Sequence, residues 1–294
     1  MNFDKVYEGN LVEVFKITDS LYFRKANLSQ RNQCNGAFVV GSRGVAIVDT
    51  PPDSIEMAEE AEHIFKKPVT EICITHAHWD HMQGISEWVK KDVTVYCSRR
   101  VIETVDPSIL RQRANFVGID GNVKLHLAGD VEVDLTTNND VAHSQWDTFI
   151  RIPDAGVVCT GDSVVEYQTT YLHSADIRQW ILTLRRLADQ PGKYVLAGHG
   201  PTLFPYSYIH EFADWLTVIE KAALALLKRH WPNPDESVDE RFQKLAIPDV
   251  IKKVDDYFSE GGEEVRFLEQ HVDKDNARRV VRMALYGYIR LYLR

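Results

Sequence analysis

The chain has few cysteines, no long hydrophobic run and a deficit of positive charge. Its four cysteines, Cys34, Cys73, Cys97 and Cys159, are widely spaced, which argues against the disulfide framework of a small secreted domain and against a CxxC metal site. Three of them fall in strand-like apolar stretches (EICIT, VTVYC, GVVCT), so they read as reduced, buried thiols. No run approaches the roughly 20 apolar residues that cross a bilayer, and the opening MNFDKVYEGN has neither the basic start nor the apolar stretch of a secretory signal. A cytoplasmic location with no membrane partner is the expectation. Lys and Arg number 34 against 43 Asp and Glu, a formal net charge of −9. Proteins that grip nucleic-acid backbone or anionic lipid usually carry a basic surface, so nucleic acid is not the expected partner, whereas a small anionic substrate held by a local patch remains compatible. Internal repeats and low-complexity tracts are also missing. What is present is ordinary for a folded protein: 294 residues, 44% hydrophobic and 26% charged, long enough to bury about three quarters of the unfolded surface in one or two domains.

The first two thirds alternate strand-like and helix-like patterns. Short apolar or alternating runs separated by Gly, Asn and Asp predict strands at 11–17, 21–25, 37–40, 45–48, 72–75, 93–97, 123–127, 131–135, 148–152, 157–160 and 194–197. Helical patterns fit 54–65, 85–90, 98–104 and 175–188. Strand and helix mixed in this order predict a layered α/β protein with helices covering sheet faces. Beyond Pro205 the strand signals fade. Ile209, Phe212, Ala213, Leu216, Ile219, Ala223 and Leu226 recur at helical spacing through 206–230, the prolines of WPNPDE at Trp231 end that helix, and two more helices are expected at 238–258 and 263–293. The last carries five arginines and no acid between Arg278 and Arg294; it reads as an amphipathic helix with a solvated face or the seam of a homodimer, ahead of a role in binding a substrate anion.

One segment carries chemistry. Thr75-His76-Ala77-His78-Trp79-Asp80-His81 follows a predicted strand and precedes Gly84 and a helix, so it occupies a loop at a strand's C-terminal end, where α/β proteins place function. Four metal-capable side chains lie within six positions. In an extended loop His76 and His78 point the same way, as two imidazoles sharing one ion must, while Asp80 and His81 turn toward a second point. Imidazole with carboxylate suits zinc, and iron and manganese accept the same donors.

These residues resemble the signature of the metallo-β-lactamase superfamily, HxHxDH after a strand. The resemblance continues in order along about residues 10–205. Ala142-His143-Ser144-Gln145-Trp146-Asp147 resembles the third-histidine motif, VVCTGDS at 157–163 the strand ending in Gly-Asp, VLAGHGP at 195–201 the final strand with its histidine, and NGAFVVGSRGVAIVDT at 35–50 the opening hairpin with its buried Asp. It implies an αββα four-layer sandwich over residues 1–205 followed by a helical extension over 206–294. It implies that His76, His78 and His143 hold one metal, that Asp80, His81 and His199 hold a second, and that Asp162 bridges them. Asp49 would orient the ligand loop. Ala142 and Trp146 stand where the family commonly has glycine; Trp146 either narrows the pocket or fills a sheet interface. The other six histidines, His63, His126, His173, His210, His230 and His271, lack such partners, His173 being the nearest to the proposed bridge in sequence.

The implied activity is hydrolysis of a small ester, thioester, lactone or related bond by a metal-bridging hydroxide, with two divalent ions, zinc before iron or manganese, as cofactors and Asp80 and Asp162 as the catalytic carboxylates. No serine or cysteine nucleophile is then required. Tyr167 or Tyr171, shortly after Asp162, is a candidate hydrogen-bond donor to substrate. A mononuclear-iron, sulfur dioxygenase-like enzyme and a catalytically inactive binding protein are the alternatives; retention of Asp80, His81 and His199 favours two metals and catalysis.

Overall fold

The computed structural model describes residues 3–9, 11–26, 34–52, 54–112, 114–173, 175–201, 203–230 and 247–292. The WPNPDE segment, the start of the helix expected from Val238, and Leu293 lie outside them. Eight strands form the first sheet in the order β1 to β8: β1 (Asp4–Glu8), β2 (Val12–Lys16), β3 (Leu21–Ala26), β4 (Gly36–Val40), β5 (Val45–Val48), β6 (Val69–Cys73), β7 (Thr94–Ser98) and β8 (Asn115–Ile119). The second sheet runs β14-β13-β12-β11-β10-β9, from β9 (Asn122–Leu127), β10 (Val131–Thr137), β11 (Thr148–Ile152), β12 (Val157–Gly161), β13 (Tyr194–Ala197) and β14 (Phe204–Pro205). The helices in chain order are α1 (Ser54–Phe65), α2 (Trp79–Met82), α3 (Ile85–Trp88), α4 (Arg99–Thr104), α5 (Pro107–Leu110), α6 (Ile177–Ala188), α7 (Tyr208–His230), α8 (Ile247–Glu260), α9 (Glu263–His271) and α10 (Lys274–Tyr292). This is the mixed α/β, two-sheet architecture with C-terminal helices that the sequence predicts.

The chain divides into two compact units: residues 1–140, 144–165 and 190–208 form the first, and 141–143, 166–189 and 209–294 the second. In the first, strand residues alternate between two cores, as the two-residue period of a strand requires. Phe38, Val45, Ile47, Ile72 and Val95 join Ala61 of α1, Trp88 of α3 and Val101 of α4 in one cluster. Their neighbours Ala37, Val39, Ala46, Val48 and Cys73 join Leu127, Val133, Leu135, Ile150, Ile152, Val157 and Leu196 in the other. The second cluster draws on both sheets and is the interior of the sandwich.

Topology gathers the loops that matter. β5, β6, β7 and β8 pair in parallel, as do β12 and β13, while β4 and β11 run antiparallel to β5 and β12. The C-terminal ends of β5, β6, β12 and β13, carrying Asp49, His76, Asp162 and His199, therefore emerge beside the N-terminal ends of β4 and β11. Two backbone bonds tie these loops across the sheets: Thr148 N–H donates to Thr75 O (2.7 Å) and Asn35 N–H donates to Gly198 O (2.7 Å).

In the second unit, α6 is capped by Asp176, whose carboxylate accepts from Gln179 N–H (3.1 Å). The single helix expected over 263–293 is two. Val272 leaves the helical region (φ −142°), and the Asp273 carboxylate then accepts from the Asp275 and Asn276 N–H groups (3.0 and 2.9 Å), opening α10. Val280, Val281, Ala284 and Leu285 of α10 are buried. Arg278 pairs with Asp255 (3.1 Å), and Arg279 donates to Gln168 O (2.7 Å), so these two arginines make structural contacts within the unit.

Candidate metal centre

The HxHxDH segment begins as extended loop after β6 and turns into the short α2 at Trp79. His76 and His78, two residues apart, present Nε2 and Nδ1 to each other at 3.0 Å. Asp80 and His81 lie on α2, with the His81 ring 4.1 Å from that of His76, centroid to centroid. One carboxylate anchors this geometry. Asp49, buried and in the left-handed region (φ 62°), accepts from Thr75 N–H through Oδ1 (2.7 Å), and through Oδ2 from Thr75 Oγ–H (2.8 Å) and His81 Nδ1–H (2.8 Å). Thr75 Oγ in turn accepts from His76 Nδ1–H (3.0 Å). Asp49 thus makes Nδ1 a donor in both rings, directly for His81 and through Thr75 for His76, and turns each Nε2 toward the site. The orienting role expected of Asp49 is what these bonds perform.

Besides the atoms of Cys34, Asp49 and His81, two groups of ligand atoms converge in the first unit. In one, those of His76, His78 and Asp162 lie within 4.8 Å of one another; in the other, so do those of Asp80, His81, Asp162 and His199. Asp162 is common to both. Its Oδ1 is 3.1 Å from His81 Nε2 and its Oδ2 is 3.5 Å from His199 Nε2, while Asp80 Oδ2 is 3.0 Å from the same His199 nitrogen. Burial opposes ionisation of Asp162, but His199 and His81 outweigh it and hold the carboxyl well below its usual range. Burial likewise opposes charge on His199, yet Asp162 and Asp80 raise it to about 10. A pocket that stabilises positive charge on the half-buried imidazole of His199 is a field that favours cations, and its imidazole and carboxylate donors are those divalent zinc, iron and manganese take. The residues therefore fit a metal.

Glycine makes room for the close approach. A Cβ on Gly198 would lie 2.1 Å from Asp162 Oδ1, and one on Gly161, at φ 51°, would lie 2.4 Å from Thr75 Oγ1.

His143, the expected third histidine, belongs to the second unit, where it is buried with its ring edge-on to Trp180 at 5.0 Å. The turn after it, in the first unit, is closed by Asp147, which accepts from Ser144 N–H (3.1 Å) and bonds Ser144 Oγ (2.5 Å). Trp146 sits in that turn at φ 60° with the Arg100 guanidinium over its ring at 5.2 Å. Tyr167 is packed in the second unit among Phe212, Trp215 and His271; Tyr171 is 44% exposed, beside His173. Sequence reasoning passed over Thr75, Arg24, Asn35 and Gly198 as parts of the site. A charged residue inside the strand LYFRKA was the available signal for Arg24, and a residue between strand and glycine the signal for Asn35.

The fold and this centre define a class, and comparison with known proteins gives the same one. The family model described as the metallo-beta-lactamase superfamily matches residues 30–199, more than half of the chain. The chain belongs to the metallo-β-lactamase superfamily. A metallo-beta-lactamase from Pontibacter korlensis superposes with a TM-score of 0.60 at 20% identity, covering 70% of this chain and 99% of that one. A metallo beta lactamase from Erythrobacter litoralis gives 0.61 at 18%, covering 72% and 98%. Among curated relatives, Metallo-beta-lactamase type 2 of Bacillus cereus is 23% identical over 56% of this chain and 66% of its own, and the putative transcription factor avaE of Aspergillus versicolor is 26% identical over 40% of this chain and 39% of its own. The matches thus span from about two fifths to just under two thirds of these relatives' lengths. Homologues of this fold are generally hydrolases. Among the described residues, no helix is long and apolar enough to cross a membrane.

Proposed function

We propose that the protein is a metal-dependent hydrolase of a small-molecule ester, thioester, lactone or related bond, holding two divalent cations, preferably zinc. The sharing of Asp162 between two convergent donor groups carries this reading. His76, His78 and His143 would hold one ion, Asp80, His81 and His199 the other, with Asp162 common to both. Divalent cations there supply Lewis acidity, acidifying a water and polarising the bond under attack. The chain's own residues do the rest. Asp49 and Thr75 hold His81 and His76 with Nε2 inward. Asp80, hydrogen-bonded to His199, is placed to hold a proton taken from the attacking water. Trp79, between ligands His78 and Asp80 and 49% exposed, offers an apolar wall against which the substrate's hydrocarbon part can rest. The acidic balance of the chain, −9 overall, fits a small substrate better than nucleic acid.

The test is metal analysis of protein purified without added metal, followed by a chelator-sensitive assay on ester, thioester, lactone and β-lactam panels. Two equivalents of zinc and turnover lost with chelator are expected. Two equivalents with no turnover on any panel would remove the hydrolase reading; one equivalent of iron with oxygen uptake would replace it by an oxygenase.

A further inference from the structure

The His199 loop is gripped from outside the donor set by one residue. Asn35, buried just before β4, donates its backbone N–H to Gly198 O (2.7 Å) and its side-chain Nδ2–H to Gly200 O (2.9 Å) and Ala197 O (3.3 Å). The three carbonyls bracket His199 on both sides. The remaining side-chain atom, Oδ1, accepts from Ala26 N–H at the end of β3 (2.9 Å). Asn35 is itself held by its neighbours. The fully buried Arg24 donates to Cys34 O (3.2 Å), Val48 O (3.0 Å) and Asp49 O (3.3 Å), filling the space that a Cβ on Gly36 would take, 2.2 Å from Arg24 Nη2.

We propose that Asn35 is a positioning residue for His199: it fixes the backbone of 197–200 so that the imidazole meets Asp80 and Asp162, and it thereby sets the affinity of the Asp80–His81–His199 half of the centre separately from the His76–His78 half. The proposal rests on the two-ion reading. Its logic is one of reach. His76 is oriented by Thr75 and His81 by Asp49, both from the first sheet, whereas His199 comes from a Gly-flanked loop of the second. Among the described residues Asn35 makes the side-chain bonds to the 197–200 backbone, while Thr160 Oγ bonds Gly161 O and Leu196 O just ahead of the loop. Glycines at 198 and 200, the latter at φ 140°, leave that backbone free to take other conformations once the amide is removed.

Asn35→Asp tests this, because it keeps the size and the Ala26 bond and replaces only the donors facing Ala197 O and Gly200 O; Asn35→Ala removes both sets without adding charge. Zinc chloride is titrated calorimetrically into metal-free full-length protein, and amide hydrogen exchange is followed in the same metal-free samples. In wild type two equivalents are expected. In both variants one equivalent should keep its affinity within about threefold, while the other weakens about 10- to 100-fold, the range typical of lost outer-shell partners. Exchange in 196–201 should accelerate, with 74–82 unchanged. Two affinities within threefold of wild type with unchanged exchange would overturn the assignment, as would equal weakening of both, which a merely structural residue would produce. If wild type takes fewer than two equivalents, the two-ion reading fails by itself and the exchange pattern decides the role of Asn35: selective acceleration of 196–201 upholds it, and its absence overturns it.

Discussion

Gly198→Ala is the sharpest probe of the centre, because the structure gives the size of the intrusion. The new methyl would start 2.1 Å from Asp162 Oδ1, 2.8 Å from His81 Cε1 and 2.9 Å from the Gly161 carbonyl carbon. Non-bonded heavy atoms settle near 3.5 Å, so either the carboxylate or the His199 loop must shift by roughly 1 Å or more. Neither has slack. Asp162 is held 3.1 Å from His81 Nε2, and the loop is bonded to Asn35 on both sides of His199. A displacement of about 1 Å in a positioned group costs on the order of 10²-fold in rate, about 2.7 kcal/mol. The expected outcome is a fall of that order in kcat/KM on the substrate the panels identify, with weakened zinc binding. Gly192→Ala supplies the control. Its Cβ would meet the Tyr206 ring at 2.2 Å, a comparable clash, but at the start of β13, the end away from His199. Both variants should lose stability, by about 1–3 kcal/mol for overpacking, and Gly198→Ala alone should lose metal. Zinc affinity and kcat/KM within threefold of wild type in Gly198→Ala, or an equal loss in Gly192→Ala, would refute the reasoning.

Asp49→Asn keeps the size of the anchor but turns an amide N–H toward groups that already donate, so zinc affinity should fall about 10- to 100-fold and stability by about 1–3 kcal/mol for the buried donors left unpaired, read by zinc titration and thermal melting. Burial raises the thiol of Cys97 to about 12 and pushes those of Cys73 and Cys159 up as well. A raised folded-state pKa stabilises fully below the unfolded thiol's value, about 8.5, and is lost as pH climbs toward 12. Native protein at pH 8 should therefore give no rapid reaction of these three thiols with a disulfide reagent, stability should decline from about pH 8.5 upward, and fast native labelling of them would contradict the burial.

The centre was legible because its chemistry is local in sequence. HxHxDH puts four possible donors in one short segment, and the resemblance to the family's later motifs, taken in order, pointed to Asp162 and His199, which the parallel strands bring to the same edge. Strands with alternation were also readable; β5 and β11 have the limits expected. The strands missed are those whose burial pattern is weak: β1, almost wholly exposed along its length, β8, with one buried residue, and the two-residue β14. Their pairing is set by neighbours and not by their own periodicity. The same holds for the support of the site. Arg24 and Asn35 act through backbone carbonyls of residues far along the chain, a relation that no spacing rule encodes.

Backbone strain follows the same division between donors and their support. Asp49 and Trp146 both occupy the left-handed region, a cost of order 1–3 kcal/mol that persists only where the surroundings over-determine it. Asp49 is over-determined: its N–H donates to Cys73 O (2.9 Å), its C=O accepts from Arg24 (3.3 Å), and its carboxylate takes three donors. That conformation lets one residue leave β5 and still aim its carboxylate back at the end of β6, where Thr75 and His81 wait. A carboxylate continuing the strand in extended geometry would point to a sheet face instead. Trp146, bulky and therefore the more costly case, lies in the turn that Asp147 closes immediately after His143. At Asp49 the strained residue bends the chain so that its own carboxylate reaches Thr75 and His81, the groups it orients.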